Sequence, residues 1–422
     1  MFFRKQPSLE LIAGLDIGSS MTRLVVGHIV AGESGAASRS QLRVIGATAV
    51  ATEGVQRGVV TSIEELISSI SYALEQAERI TGLPVESVWL GINGPFVLTQ
   101  DSKGVVAVAK ADGEISPEDA THAIAAARAV PLPLNYDILH VLPRDFTVDG
   151  QAGIKDPVGM TGMRLEVDAK IIYGMSTHIK NLPRAVYRTG IDIEAPILSI
   201  LATGEAVVTT RQKELGAAVV TVGSATTSLA VYEEGNTIHV ATIPIGSQHI
   251  TSDIAMGLRI SIDLAERIKI EYGHCVPKEI SKKEIIDLQT LGGGANEVAS
   301  RHYVAQIIEA RVKEILEKIH DELVKIGKNG FLPAGVVCSG GGAKIGGFVD
   351  CARDELQLPI AIGCPFDVSS VSNASGDIAF APAIGLLKWG AHFGSSGETK
   401  AKPRRVNRWL EKLSHAKDWL MP

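Results

Sequence analysis

Leu15-Asp16-Ile17-Gly18-Ser19-Ser20 is an Asp-x-Gly turn set between two apolar runs, the second from Leu24 to Val30. A strand that ends in a carboxylate, turns on glycine and returns as a strand aims backbone N–H groups at one point. The carboxylate beside them is an acidic metal anchor, so the stretch has the chemistry of a phosphate and Mg2+ site. Asp-x-Gly-x-Ser also builds ordinary hairpin turns. A partner loop elsewhere in the chain decides between the two readings.

Residues 11–50 read as three strands, 11–17, 22–30 and 42–50, and an amphipathic helix follows at 62–81 with apolar residues at 63, 66, 67, 70, 73, 74 and 77. After Pro84 the pattern changes to Val88-Trp89-Leu90-Gly91-Ile92, a glycine-punctuated loop, a helix at 117–129, and strands around 138–141 and 164–173. Residues 85–174 therefore read as an inserted α+β subdomain. A helix at 177–190 follows, and then the opening pattern returns: 217–232 is strand, small-residue turn (Thr221-Val222-Gly223-Ser224-Ala225-Thr226-Thr227) and strand, with a third strand at 237–245. Two copies of a three-strand meander predict a duplicated α/β fold with two facing lobes. Residues 246–330 read as mostly helical. A third glycine turn, Ser339-Gly340-Gly341-Gly342-Ala343, then ends the apolar run from Val336, and a helix at 378–389 closes the globular part.

Paired hairpins can grip a triphosphate from both sides through backbone N–H groups, and a triple glycine lets the backbone lie flat against a purine and its α-phosphate. No GxxxxGK[ST] or GxGxxG sequence occurs, which argues against the P-loop and Rossmann alternatives. The wider composition agrees with a folded chain of more than one domain: 422 residues, 45% hydrophobic, formal charge −6. That charge gives no case for nucleic acid binding. Four widely spaced cysteines suggest neither a zinc site nor a disulfide framework, and a reducing cytosol is the expected setting. No apolar run is long enough for a membrane span and the first residues lack a signal-peptide core, so the chain is expected neither to cross a membrane nor to be exported.

The three glycine turns, in this order, resemble the phosphate-1, phosphate-2 and adenosine signatures of the actin, Hsp70 and sugar kinase superfamily. Within it the chain resembles the FtsA family of bacterial cell division over nearly its whole length. The most specific stretches are 153–162 (GIKDPVGMTG), 250–255 (ITSDIA), 265–269 (AERIK), 307–312 (IIEARV) and 383–387 (AIGLL). The resemblance implies an actin-like fold with subdomain 1A at 1–84 and 175–200, an inserted 1C at 85–174, 2A at 201–245 and 331–393, and 2B at 246–330. It implies ATP and Mg2+ as cofactors. Asp16 would face the metal, and Gly18, Ser19, Ser20, Gly223, Ser224, Thr226 and Thr227 the phosphates. Glu266 and Lys269 would approach ribose and base, and Gly341, Gly342 and Ala343 would line the adenosine. The alternative for Glu266 and Lys269 is a solvated helix face.

The chain departs from the family pattern at the second phosphate loop. An Asp is expected where Thr221 stands, and Ser224, Ala225 and Ser228 replace an expected Gly, Gly and Asp. Phosphoryl transfer rests on positioning and charge stabilisation, so losing one of two carboxylates harms hydrolysis more than binding. ATP binding with slow or negligible turnover is expected. Glu205 is a candidate water-orienting base, the alternative being a solvated helix residue.

Residues 394–403 have linker composition. In 404–422, Val406, Trp409, Leu410, Leu413 and Leu420 fall on one stripe at helical spacing, and residues 400–422 hold seven Lys/Arg against two acids. A basic amphipathic helix on a tether suits an anionic lipid surface; a groove on a protein partner is the other reading. The family resemblance implies the membrane, together with head-to-tail filaments on its inner face at the division site. It also implies capture by 2B of the C-terminal peptide of the tubulin-like protein FtsZ, and contacts of 1C with later division proteins. Arg301, Arg311 and Lys313 are basic candidates for the FtsZ contact, or a merely solvated face. Two other functions compete: an active phosphotransferase or ATPase of the superfamily, and an actin homologue of pilus assembly.

Overall fold

A computed structural model describes residues 11–30, 41–292, 298–370 and 376–393. The chain opens with an antiparallel meander, β1 (Leu11–Ile17), β2 (Met21–Val30) and β3 (Gln41–Ala51), followed by a small hairpin of β4 (Val55–Gln56) and β5 (Val59–Val60). Helix α1 (Ile63–Thr81) starts where the Ser62 hydroxyl accepts from Glu65 N–H, with Glu64 and Glu65 favourably placed at the positive end of the helix dipole. It buries Leu66, Ile70, Ala73, Leu74 and Ala77, one face at three- and four-residue spacing, and stops at Gly82 in the left-handed region at φ +69°. Strand β6 (Ser87–Ile92) then pairs parallel with β1.

The insertion is a four-stranded antiparallel sheet under one helix: β7 (Val97–Ala107), α2 (Pro117–Arg128), β8 (Tyr136–Val148), β9 (Gln151–Ile154) and β10 (Arg164–Met175), in the order β7-β10-β8-β9. Three features differ from the sequence expectation. The stretch 88–92, expected at the start of the insertion, is β6 and belongs to the first-lobe sheet. The stretch expected as a glycine-punctuated loop is β7, an edge strand whose Gly104 lies flat against α2; an added Cβ would sit 1.9 Å from Ala123 O. Strand β8 is also far longer than 138–141, and Pro143 is accommodated because it pairs with Ala169 beside a register shift.

Helix α3 (Ser176–Arg188) leads to β11 (Asp192–Leu198), parallel to β6. Two helices, α4 (Ser199–Val207) and α5 (Thr210–Leu215), carry the chain to the second lobe. There β12 (Ala217–Val222), β13 (Thr227–Glu233) and β14 (Asn236–Ile243) repeat the meander. Helices α6 (Ser247–Leu258) and α7 (Ile262–Tyr272), a hairpin of β15 (Ile285–Asp287) and β16 (Val298–Ser300), and the long α8 (Arg301–Lys325) follow. The chain then runs through β17 (Val336–Ser339), α9 (Phe348–Leu356), β18 (Ile360–Ile362), β19 (Val368–Ser370) and α10 (Ala381–Phe393).

The sheet orders expose the duplication. The first sheet is β11-β6-β1-β2-β3-β19 and the second β14-β13-β12-β17-β18. Remove β19 and the two have one topology: a meander extended beyond its first strand by two successive parallel strands reached through helices. The fold is a mixed α/β, actin-like pair of lobes with an inserted sheet.

The inserted sheet touches both lobes. Leu198 N–H donates to His140 Nε2 at 3.0 Å, and burial lowers that imidazole's pKa to about 4, so it accepts as the neutral ring. On the other side Thr99 Oγ1 donates to Val240 O at 3.4 Å, Asn236 Nδ2 donates to Asp145 Oδ1 at 3.5 Å, and Lys155 lies 3.8 Å from Asp145 and 3.9 Å from Glu234. Among the described residues, no helix is long and apolar enough to cross a membrane.

Candidate functional site

A cavity of about 480 Å³ lies between the lobes. All three glycine turns line it: Asp16, Gly18, Ser19 and Ser20 from the first, Thr221, Gly223, Ser224 and Thr226 from the second, and Gly340, Gly341 and Gly342 from the third. Glu266 and Lys269 reach it from α7. Residues more than three hundred positions apart in sequence converge because each turn ends the first strand, or a strand parallel to it, in one of the paired sheets.

Asp16 ends β1 with its carboxylate buried. Ser199 Oγ, at the start of α4, donates to Asp16 Oδ1 at 3.0 Å. Burial raises the Asp16 pKa above its ordinary value of 3.8, and the Arg23 charge and the Ser199 hydrogen bond partly oppose that rise. Arg23 stands opposite Asp16 in the β1–β2 ladder, with its Nε buried and unpartnered and its guanidinium 5.7 Å from the Phe380 ring centre. Burial lowers its pKa against the pull of Asp16 and Asp377. Gly91 makes room beneath the pair: an added Cβ there would lie 2.6 Å from Ser199 Oγ and 3.0 Å from Asp16 Oδ1. Sequence reading passed over Arg23, Gly91 and Ser199. A lone arginine in the apolar β2 was the available signal for the first; nothing local marked the other two.

The second turn is held from beneath by α6, whose Ser247 and Gln248 N–H groups donate to Gly223 O and Ser224 O at 2.9 and 2.8 Å. That approach requires Gly246, since a Cβ would fall 2.5 Å from Ser224 O. Asn93, on the loop after β6, crosses between the lobes. Its Nδ2 donates to Thr226 Oγ1 at 3.3 Å, and its Oδ1 accepts from Ser228 Oγ at 3.0 Å. Thr221 Oγ1, where the family pattern expects a carboxylate, is buried with no hydrogen-bond partner.

At the third turn Gly340, at φ +86°, packs on β12, where a Cβ would lie 2.5 Å from Val222 O. A Cβ on Gly342 would strike Val222 Cγ1 at 2.4 Å, whereas one on Gly341 would meet nothing within 4 Å. The middle glycine is thus the one whose missing side chain leaves open space. Lys269 is buried, and its Nζ donates to Glu266 Oε2 at 2.7 Å and to Thr251 Oγ1 at 2.9 Å. Glu266 and Lys269 therefore form one hydrogen-bonded unit at the cavity rather than a solvated helix face.

Other expected residues lie elsewhere. Thr227 is buried outside the cavity and donates its hydroxyl to Ile245 O at 2.8 Å, because strand alternation turns it away from its neighbour Thr226. Ala343 points into the core of the second lobe. Glu205 does not reach the cavity; its carboxylate pairs with Lys213 of α5, which removes it as a base for water there. Arg301 pairs with Glu284, Arg311 with Asp253 and Glu314, and Lys313 with Glu309, so each of these cations already has an acid in its own lobe. Residues 394–422, with Val406, Trp409, Leu410, Leu413 and Leu420, lie outside the described residues. No cluster of three metal-ligating side chains occurs among the described residues.

The residues present fit a Mg2+–nucleotide in three respects: a buried carboxylate at a hairpin end, an orphaned hydroxyl opposite it, and a glycine surface open to the cavity.

Comparison with known proteins supplies the identity. A family model described as cell division protein FtsA matches residues 218–385, and one described as the SHS2 domain inserted in FtsA matches residues 96–173. The chain is 38% identical to the cell division protein FtsA of Bacillus subtilis over 84% of its own length and 79% of that protein. It is 33% identical to FtsA of Pseudomonas aeruginosa over 95% and 98% of the two chains. Among solved structures it is similar to a chain of the PilM-PilN type IV pilus biogenesis complex (TM-score 0.66, 17% identity, 91% and 99% covered). It is also similar to MreB5 of Spiroplasma citri bound to ADP (TM-score 0.53, 13% identity, 91% and 97% covered). These two likenesses concern the fold alone; the sequence relatives carry the rest, and by them this chain belongs to the FtsA family of cell-division proteins.

Proposed function

We propose that the interlobe cavity binds ATP with Mg2+, and that the protein is an actin-like scaffold of division whose hydrolysis is weak or absent. The observation that carries the reading is the convergence of all three glycine turns on one cavity. Asp16 would hold the cation, Thr226 and the Gly18–Ser20 backbone the phosphates, and Gly341 the adenosine, beside the Glu266–Lys269 pair. Mg2+ would neutralise phosphate charge. The ADP bound to MreB5 in a protein of this fold supports the assignment. Weak turnover follows from Thr221: a hydroxyl cannot orient water or share the cation as a carboxylate does.

The scaffold role includes polymerisation on the cytoplasmic face of the inner membrane, capture of the FtsZ C-terminal peptide by residues 246–330, and recruitment of later division proteins through the inserted sheet. Membership of the FtsA family supports this reading over pilus assembly, where the likeness is one of fold at 17% identity. Membrane attachment rests on the tail at 404–422. Each Lys or Arg near an anionic surface contributes about 1 kcal/mol, so one tail would bind reversibly and a filament of tails firmly.

Two measurements test the reading. Titration calorimetry with ATP and Mg2+ is expected to give saturable binding at one site, with phosphate release far slower than dissociation. Absence of binding sinks the nucleotide assignment. Co-sedimentation with anionic liposomes is expected for the full chain and not for a chain ending at residue 403; unchanged sedimentation of the shortened chain removes the anchor.

A further inference from the structure

The polypeptide passes between the two sheets at two places: residues 199–216, from β11 to β12, and residues 363–367, from β18 to β19. Any rotation of one lobe on the other bends both. The passages lie against each other. Phe366 N–H donates to Ala206 O at 3.1 Å. At Gly363 an added Cβ would come within 2.9 Å of Val207 Cβ. Helix α10 presses on the same region from the first lobe, so closely that a Cβ on Gly385 would lie 1.9 Å from Ala202 O.

Lys388 of α10 is buried where these elements meet, at 8% exposure. Its Nζ donates to Glu205 O at 3.1 Å, on the first passage, and lies 3.7 Å from the Phe366 ring centre, on the second. A single ammonium is thus held by both. The charged and titratable groups around it come from each neighbouring element. Glu205 of α4 pairs with Lys213 of α5, Asp367 lies on the second passage, and Lys213 rests 5.1 Å from the ring centre of Tyr232 of β13. Burial lowers the Lys388 pKa to about 8, outweighing the opposite effects of Asp367 and Glu205 and reinforced by Lys213.

We propose that Lys388 is a hinge clasp, whose ammonium binds the Glu205 carbonyl and the Phe366 ring together and so fixes the angle between the lobes. A neutral amine keeps at most a weaker hydrogen bond to the carbonyl and loses its attraction to the ring face. Because the folded pKa lies below the unfolded value of 10.5, the folded state releases this proton first, and Lys388 makes global stability rise with pH between about 8 and 10.5. The clasp itself is therefore read at pH 7, where the ammonium is charged.

The test uses the full chain without nucleotide, so it stands whether or not the cavity binds ATP. Hydrogen exchange at the Phe366 and Val208 amides, corrected for intrinsic rates, is compared at pH 7 in wild type, Lys388→Met and Lys388→Arg. In the Met variant these amides should exchange about tenfold faster than in wild type, while the protein melts no lower, since methionine keeps the bulk and removes a buried charge. The Arg variant should stay as protected as wild type. Equal protection in wild type and Lys388→Met overturns the proposal, and so does a general rise in exchange accompanied by a lower melting temperature.

Discussion

The two hairpins that face each other across the cavity occupy equivalent places in equivalent sheets and carry opposite chemistry. Asp16 ends the first meander strand, opposite Arg23 in the antiparallel ladder and Gly91 in the parallel one. Thr221 ends the corresponding strand of the second lobe, opposite Ser228 and Ser339. Position for position, a buried acid, a cation and a glycine face three hydroxyls. The duplicated scaffold therefore supplies symmetry of backbone and none of charge. The first hairpin brings a carboxylate to the cavity, whereas the second brings only hydroxyl and amide groups. In the function proposed above, a clamp of that kind would hold a phosphate group better than it attacks one.

The sharpest way to break the comparison is to fill the space under the acid. Gly91→Val sets a side chain against Ser199 and Asp16 and should destabilise the fold by about 3 kcal/mol in a denaturant melt, with nucleotide binding lost. A variant of wild-type stability would mean that the glycine is incidental.

Asp16→Asn keeps the shape and removes the charge. Mg2+–ATP affinity by calorimetry should fall about a hundredfold, equivalent to about 2.7 kcal/mol. The pH dependence should change as well. Because burial lifts the Asp16 pKa above 3.8, its contribution is full below that value and is lost as pH rises through the folded pKa. The Asn variant should lack that decline, and an unchanged stability profile would contradict the burial argument.

Thr221→Asp restores the acid to the second lobe and should raise phosphate release about tenfold in the presence of Mg2+. No gain would place the deficit elsewhere, with Ser224, Ala225 and Ser228 the next residues to restore. Asn93→Ala severs the amide that joins the lobes at the second turn. Its expected effect is an about fivefold faster nucleotide dissociation in stopped flow, at nearly constant melting temperature. Smallest of all, Thr221→Val removes a buried hydroxyl that has no partner and should stabilise the nucleotide-free protein by about 1 kcal/mol. A loss of stability would show that the hydroxyl is satisfied.

Much of the fold was legible because it rests on local periodicity. The α1 stripe and the two meanders follow from the alternation and spacing of apolar residues, and the turns that close them are marked by glycine. Strand β7 was not legible: its Thr99, Asp101 and Lys103 read as loop, and the reason Gly104 is glycine lies across space, in the backbone of α2. The site divides in the same way. The turn residues that line the cavity, such as Asp16, Gly223 and Gly341, sit on local motifs that the sequence displays. Gly91, Asn93 and Ser199 act through partners far away in sequence, on another strand or the other lobe, and Arg23, only seven residues from Asp16, is brought opposite it by the register of the β1–β2 ladder. Thr227 and Glu205 failed for a related reason, since a residue's type does not state which way its strand or helix turns it.

The inserted subdomain holds His140 against β11 of one lobe, and on the other it holds Thr99 and Asp145 against β14 and Lys155 against the β13–β14 turn. It thus spans the same gap as the cleft by a separate route. Thermodynamic reciprocity then applies: a molecule that grips this sheet more tightly at one lobe angle changes the cleft's affinity for its ligand, and the ligand changes the grip by the same factor. A partner bound to the outer surface of the insertion and a ligand in the cavity would then be two readings of one angle.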